Sequence, residues 1–415
     1  MPTLLLMLVL SVWSCAQSKK SAGLQPSTEL FLQKELITIS ENGRFAPANW
    51  EPVIKHLKDK RLVLLGELNH GAGEMFALRN DLIRHLYNKT DPFVLLFEAG
   101  IGELAQVEMN KSGMSPAEMT FGFFEIWRTK EFQELMEFAR VNRIPVAGFD
   151  VQRSGRSFNK LLTKLAAQTT TDSARYIKLE ERFGVLQQAM GGKKAVYDSL
   201  KDSVTDLVNS YQRVHDLINE TNSGTHSAEL LFVLQTIRNR IGFLSYMLQF
   251  VRDRDFNKRL SARDSMMADN IIWLAENIYK KEKLVIIGHN YHIAKSNNSD
   301  LVMGQLLSRK YGRDMYCMGM FAGSGTYNGN SGKPVNMLPA DSSALDIKHI
   351  VSRLNGSAGF LNISPKRKAG DQWLHEPIVV NDSFIDLAER NTMILSKLFD
   401  GLLMIRTISP PQKDQ

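Results

Sequence analysis

Short runs of Val, Ile, Leu and Phe punctuate the chain, and four of them stop at a side chain able to act as acid, base or ligand. RLVLLGE stops at Glu67, FVLLFE at Glu98, IPVAGFD at Asp150 and LVIIGH at His289. Unbroken apolar runs of this length predict strands buried on both faces, as in parallel α/β sheets. Ligands of such sheets sit beyond the carboxyl ends of the strands, so the polar endings are gathered along one edge. The first and last carry a further histidine, His70 after Glu67 and His292 after His289. One polar ending is ordinary; this set predicts a site.

Between the runs the apolar spacing becomes helical. Met75, Leu78, Leu82, Ile83 and Leu86 share a face, so a helix over 75–87 follows the first strand directly, with the loop of this βα unit at 67–73. Helices are also predicted over 29–40, 50–58 and 130–142, with short helical pieces at 103–109 and 116–127. From about residue 158 to 278 strand signals vanish. Helical patterns run over 176–190, 196–219 and 228–251, broken at Gly191-Gly192 and Asn222-Ser223-Gly224. Strands resume at 283–287, 314–320 and 401–407. The expected fold is α/β, a mostly parallel sheet flanked by helices, in two parts (29–157 and 279–409) separated by an inserted all-helical lobe (158–278). A lobe over a sheet edge makes a cleft.

With 415 residues, 43% hydrophobic and 23% charged, the chain can bury one large core or two. Its net charge of +7 comes from Lys and Arg spread among Glu and Asp, which reads as solvated surface. No nucleic-acid module is present, and no nucleic-acid partner is expected. Residues 4–13 form an apolar stretch too short to span a bilayer and suited to a signal-peptide core. It ends in Val12-Trp13-Ser14-Cys15, which resembles a bacterial lipobox. The resemblance implies a signal peptide over 1–14, lipidation of Cys15, a tether over 15–28, and an exported protein anchored to the membrane of the cell envelope. No Lys or Arg precedes the apolar core, so a plain secretory signal is the alternative. The other cysteine, Cys317, falls in a predicted strand as a small core residue.

The loop Gly66-Glu67-Leu68-Asn69-His70-Gly71 joins a buried strand to a helix, with glycines permitting a tight turn. Glu74 sits at the helix start, where its charge suits the helix dipole. Arg79, on the same helix, reaches either the cleft or the surface. In His289-Asn290-Tyr291-His292 the two imidazoles share a face if the segment turns helically. Arg263 and Asp264 open an amphipathic helix and read as an ordinary charged helix end. Missing are a G-x-S-x-G elbow, H-E-x-x-H, a Walker loop, G-x-G-x-x-G after a strand, and paired zinc cysteines, which argues against serine hydrolysis and phosphate transfer. A His and carboxylate cluster remains, able to activate water as a general base or to hold a divalent metal through Glu67, His70, Glu98, His289 and His292.

Taken in order, several segments resemble the erythromycin esterase family from about residue 50 to the last strand. They are Gly66-Glu67-x-x-His70-Gly71-x-x-Glu74 with Arg79, Phe97-Glu98, Trp127-Arg128-Thr129-Lys130-Glu131-Phe132, Gly148-Phe149-Asp150-Val151-Gln152, Arg263-Asp264-x-x-Met267-Ala268-x-Asn270 and Gly288-His289-Asn290-x-His292. The resemblance implies a hydrolase that opens a small-molecule carboxylic ester or lactone by adding water, with no acyl-enzyme and no cofactor. His70 is then the general base, and Glu67 and Glu98 orient it or the water. His289 and His292 hold the water or stabilise the oxyanion, while Glu74, Arg79 and Arg263 bind substrate or stabilise charge. Leu68-Asn69 and Ala72-Gly73 depart from the family pattern beside the base, so substrate choice is expected to differ and most macrolides are expected not to be turned over. Distant relatives sharing the sheet and a G-E-x-x-H loop suggest the alternative, an envelope protein binding a divalent metal or haem iron, or a metallopeptidase, through the same cluster.

Overall fold

A computed structural model describes residues 24–40, 49–90, 92–168, 173–221, 227–381 and 390–413. The expected signal peptide and Cys15 lie outside them. Among the described residues no helix is long and apolar enough to cross a membrane.

The strands are β1 (Ile37–Ser40), β2 (Leu62–Leu65), β3 (Phe93–Gly100), β4 (Val146–Asp150), β5 (Lys283–Ile287), β6 (Met315–Asn328), β7 (Pro334–Asn336), β8 (Ala358–Asn362), β9 (Ile378–Asn381), β10 (Arg390–Met393) and β11 (Gly401–Ile408). The main sheet runs β1-β8-β11-β6-β2-β5-β3-β4, with β7 paired to β6, while β9 and β10 form a separate ribbon. From β11 to β4 every neighbouring pair is parallel. β8 is antiparallel to β11, and β1 to β8. The apolar runs behave as strands covered on both sides, for every residue of β2, β3, β4 and β5 is buried. Helices such as Gly73–Tyr87 and Lys130–Val141 supply the cover.

Between β4 and β5 the described residues are helical: Phe158–Gln168, Ser173–Gly191, Tyr197–Thr221, Ala228–Asp253 and Phe256–Trp273. The last flanks the sheet itself, since Asn270 donates to the Phe149 carbonyl at 2.9 Å.

Two expectations are corrected. The helix predicted over 29–40 runs from Pro26 to Glu35 and gives way to β1, because Ile37-Thr38-Ile39 is a β-branched run that prefers the pleated edge. Residues 24–28, assigned to a tether, belong to the fold: Leu24 packs on the core and Thr28 is buried. β6 also continues well past the predicted 320, through a glycine-rich, partly exposed half with weak apolar signal.

Candidate active site

Strand register gathers the polar endings. Leu65 pairs with Ile287, and Ile287 with Phe97, so the residues that follow, Glu67, His289 and Glu98, emerge side by side. A register shift between Phe97 and Gly100 then brings Asp150 up beside Gly100.

Gly66 and Asn290 fix the first loop to its neighbours. The Asn290 side chain donates to the Met320 carbonyl (2.7 Å) and accepts from the Met320 amide (3.0 Å), while its own amide donates to the Glu67 carbonyl (2.8 Å). A Cβ on Gly66 would stand 2.1 Å from Asn290 Oδ1 and 3.1 Å from the Met318 carbonyl oxygen, so only glycine permits this approach.

Within the loop, Glu67 is fully buried. Its Oε1 lies 2.6 Å from His70 Nδ1, and its Oε2 accepts from Arg79 Nη1 at 2.5 Å. Burial alone would push the Glu67 carboxyl up, but Arg79 and His70 reverse this and hold it below the usual carboxylate range. An ionised Glu67 assigns the proton between the two to His70 Nδ1, placing the basic lone pair on Nε2. His70 keeps 16% side-chain exposure and lines a cleft of about 590 Å³.

His289 stands beside it, ring centroids 5.4 Å apart. Its Nε2 donates to the Leu68 carbonyl at 2.7 Å, and its Nδ1 accepts from the Tyr291 amide at 3.2 Å. Both nitrogens are thus committed to holding the Glu67–His70 loop against the turn Asn290–Ile293. The ring nevertheless lines the same cleft as His70.

The second half of the cluster centres on Arg263. Its Nε and Nη2 grip Asp150 at 3.2 and 2.7 Å, and Nη2 also donates to Glu98 Oε1 at 2.9 Å. His292 places Nδ1 2.9 Å from Asp264 and Nε2 3.3 Å from Glu98 Oε1. Burial favours the neutral ring, but the Asp264 and Glu98 carboxylates overcome it and push His292 up to about 10. Arg263 Nη1 lies 3.1 Å from His292 Nε2, an approach a neutral ring would accept; with carboxylates at both ends the ring is an imidazolium whose Nε2–H is directed at Glu98. Burial likewise disfavours the Glu98 anion, yet His292 and Arg263 hold that carboxyl well below its ordinary range. Glu98 Oε2 accepts from the His289 amide at 3.1 Å.

Glu67, His70, Glu98, His289, His292 and Arg263 are therefore brought together. Arg79 sits behind Glu67, 1% exposed, and its charge acts on that carboxylate. Glu74 is not part of the cluster: its carboxylate accepts from the amide (2.5 Å) and hydroxyl (2.7 Å) of Ser409, tying the helix start to the segment after β11. Sequence reasoning gave no role to Asp150 or Asp264, although Asp150 closed one of the four marked strands and Asp264 accompanied Arg263. Nor did it single out Phe256, Arg259 and Leu260, which wall the cleft with Phe124 and Trp127 and lie in a stretch that carries no motif. Trp127 presents its ring to His70 at 5.5 Å. Among the described residues, no group of three or more His, Cys, Asp and Glu is disposed to hold a metal ion.

The family model for erythromycin esterase matches residues 94–408, and Glu67 and His70 lie just ahead of that span. The YbfO protein of Bacillus subtilis (strain 168), assigned as a hydrolase, is 28% identical over 86% of this chain and 85% of its own length. Erythromycin esterase type II of Escherichia coli is 24% identical over 67% of this chain and 72% of its own. Among solved structures, a mutant of the erythromycin esterase EreC in its open conformation superposes with a TM-score of 0.61 at 15% identity, over 88% of this chain and 95% of that one, which is a likeness of fold. A family match across most of the sheet, meeting the same strand edge that the side chains converge on, means that the chain belongs to the erythromycin esterase family.

Proposed function

We propose that this hydrolase opens a carboxylic ester or lactone by direct addition of water, with His70 as general base. One observation carries the reading. The cleft is lined by an imidazole backed by a buried, arginine-pinned carboxylate, and among the described residues its lining contains no Ser, Thr, Cys or Lys, so a base is at hand and the usual acyl-accepting nucleophiles are not. The names of the Bacillus and Escherichia relatives point to the same class.

In this reading His70 Nε2 takes a proton from water as the oxygen adds to the substrate carbonyl. Collapse of the tetrahedral adduct expels the alcohol oxygen, which takes the proton back from the imidazolium. Glu67 holds the ring's orientation and stabilises its positive charge. Arg263, whose Nη1 is engaged by no carboxylate among the described residues, is the donor of the lining offered to the developing oxyanion, where one well-aimed donor lowers the barrier by about 3 kcal/mol, and the His292 imidazolium adds its charge from beside Glu98.

The test is a panel of esters and lactones, erythromycin included, followed by mass spectrometry of product and of rapidly quenched protein. Expected are hydrolysis of at least one panel member, no acyl adduct on the protein, kcat lowered roughly a thousandfold in His70→Ala, and no effect of a chelator. An acyl adduct, an active His70→Ala variant, or loss of activity on chelation would each overturn the proposal; the last would return the same residues to the metal-centred alternative.

A further inference from the structure

Arg259 and Arg263 lie one turn apart on the helix Phe256–Trp273 and line the same cleft, but only one of them is neutralised. Arg263, the inner residue, is held by Asp150 and Glu98. Arg259, the outer one, makes no side-chain hydrogen bond or ion pair among the described residues. Its guanidinium is instead seated against two rings, 4.9 Å from the centroid of Phe250 and 4.7 Å from that of Phe256. Burial lowers its proton affinity, Tyr246 partly opposes this and the charge of Arg263 adds to it, with no carboxylate among the groups acting on it. Even so it stays cationic across the physiological range.

A partly desolvated cation with no counter-charge is a cost the fold does not recover within itself. The aromatic contacts hold the guanidinium plane still, so little motion is lost when a ligand engages its fork. The same lining carries Phe124, Trp127 and Leu260 together with Gln152 and Asn330, and among the described residues Glu125 is its one carboxylate outside the inner cluster. A planar anion is the partner that a guanidinium recognises through two parallel hydrogen bonds. Position i, i+4 sets Arg259 about 6 Å along the helix axis from Arg263, the span of a few bonds between a scissile carbonyl and a second functional group.

We propose that Arg259 is a specificity residue for a carboxylate carried by the substrate, so that the esters taken are monoesters of dicarboxylic acids or similarly anionic molecules. This rests on the ester-hydrolase reading for its chemistry but not for its binding. The experiment therefore has two arms. In the first, linear dicarboxylic acids carried as monobenzyl amides, which an esterase leaves intact, are titrated calorimetrically into the full-length protein and into Arg259→Met, alongside the neutral carboxamide of each. Expected is roughly ten- to hundredfold weaker binding of the best carboxylate by Arg259→Met, equal binding of the carboxamides, and partial recovery in Arg259→Lys, which keeps the charge and loses the fork. Equal carboxylate binding by the two proteins, or none by the native protein at any chain length, overturns the proposal. In the second arm the corresponding monobenzyl esters are assayed for hydrolysis. If none is cleaved while the first arm succeeds, the ester-hydrolase reading fails and the carboxylate site stands.

Discussion

Arg79 shapes the chemistry proposed for His70 without touching the cleft. Replacing it by Met keeps the volume and leaves Glu67 as a buried anion with only His70 against it. An unpaired buried charge of this kind costs about 3–5 kcal/mol of stability, readable as a lower urea midpoint. The imidazole then sits beside an uncompensated carboxylate, so its protonated form is favoured, and the acid limb of the kcat/KM profile for Arg79→Met is expected to move to higher pH. A purely structural role would lower stability and leave the limb in place. At this scale Glu67, His70, Glu98 and His289 were legible because each follows an apolar run that could only be a buried strand. The partners of Asp264 and Arg79 were not, because a charged residue on a helix gives no sign of which carboxylate or imidazole it will meet across the fold.

The turn Asn290–Ile293 is four residues long, yet it carries His292 into a slot between Asp264 and Glu98, and that placement predicts how stability responds to pH. His292 is raised in the folded chain to about 10, against roughly 6.5 when unfolded. Its contribution is therefore complete below about pH 6.5 and is lost as pH rises toward 10. Glu98 has the opposite sign: its carboxyl is depressed, so its contribution is present above its unfolded value and lost as pH falls. Chemical denaturation is expected to find maximal stability between these limits, and His292→Gln should flatten the alkaline side. Element by element, the central strands announced themselves and the margins did not. β8 has Gly359 inside a five-residue strand, and β1 followed a helical pattern too closely to separate from it. Edge strands are defined by the partner they pair with, and a single segment of sequence does not name its partner.

Across the whole molecule, the helical segment is joined to the sheet by a charged knot. Arg240, 1% exposed, donates to Glu103 at 2.6 Å and twice to Glu180 at 3.2 Å, and Tyr211 adds a hydroxyl to Glu180 at 2.7 Å. The Arg240 guanidinium also lies 4.6 Å from the centroid of the Phe183 ring. Burial already pushes the Glu103 carboxyl above its ordinary value. Arg240→Met leaves two buried carboxylates facing one another, and a loss of about 3–5 kcal/mol is expected at neutral pH, with partial recovery in mildly acidic urea titrations as Glu103 takes up a proton. The presence of a helical insertion could be read from the vanishing strand signal. The knot that docks it could not, since its members lie in Ile101–Asn110, Ser173–Gly191, Tyr197–Thr221 and Ala228–Asp253, far apart along the chain.

The hydrogen bonds from Ser409 to Glu74 join residues 335 positions apart, and they come from the segment that follows the sheet's final strand. At ribosomal rates of roughly 5–20 residues per second, the loop holding His70 is synthesised some twenty to seventy seconds before the groups that anchor the helix beneath it. The nascent chain thus carries its candidate base early and completes that base's support late, a delay that separates the making of the loop from the fixing of the helix beneath it.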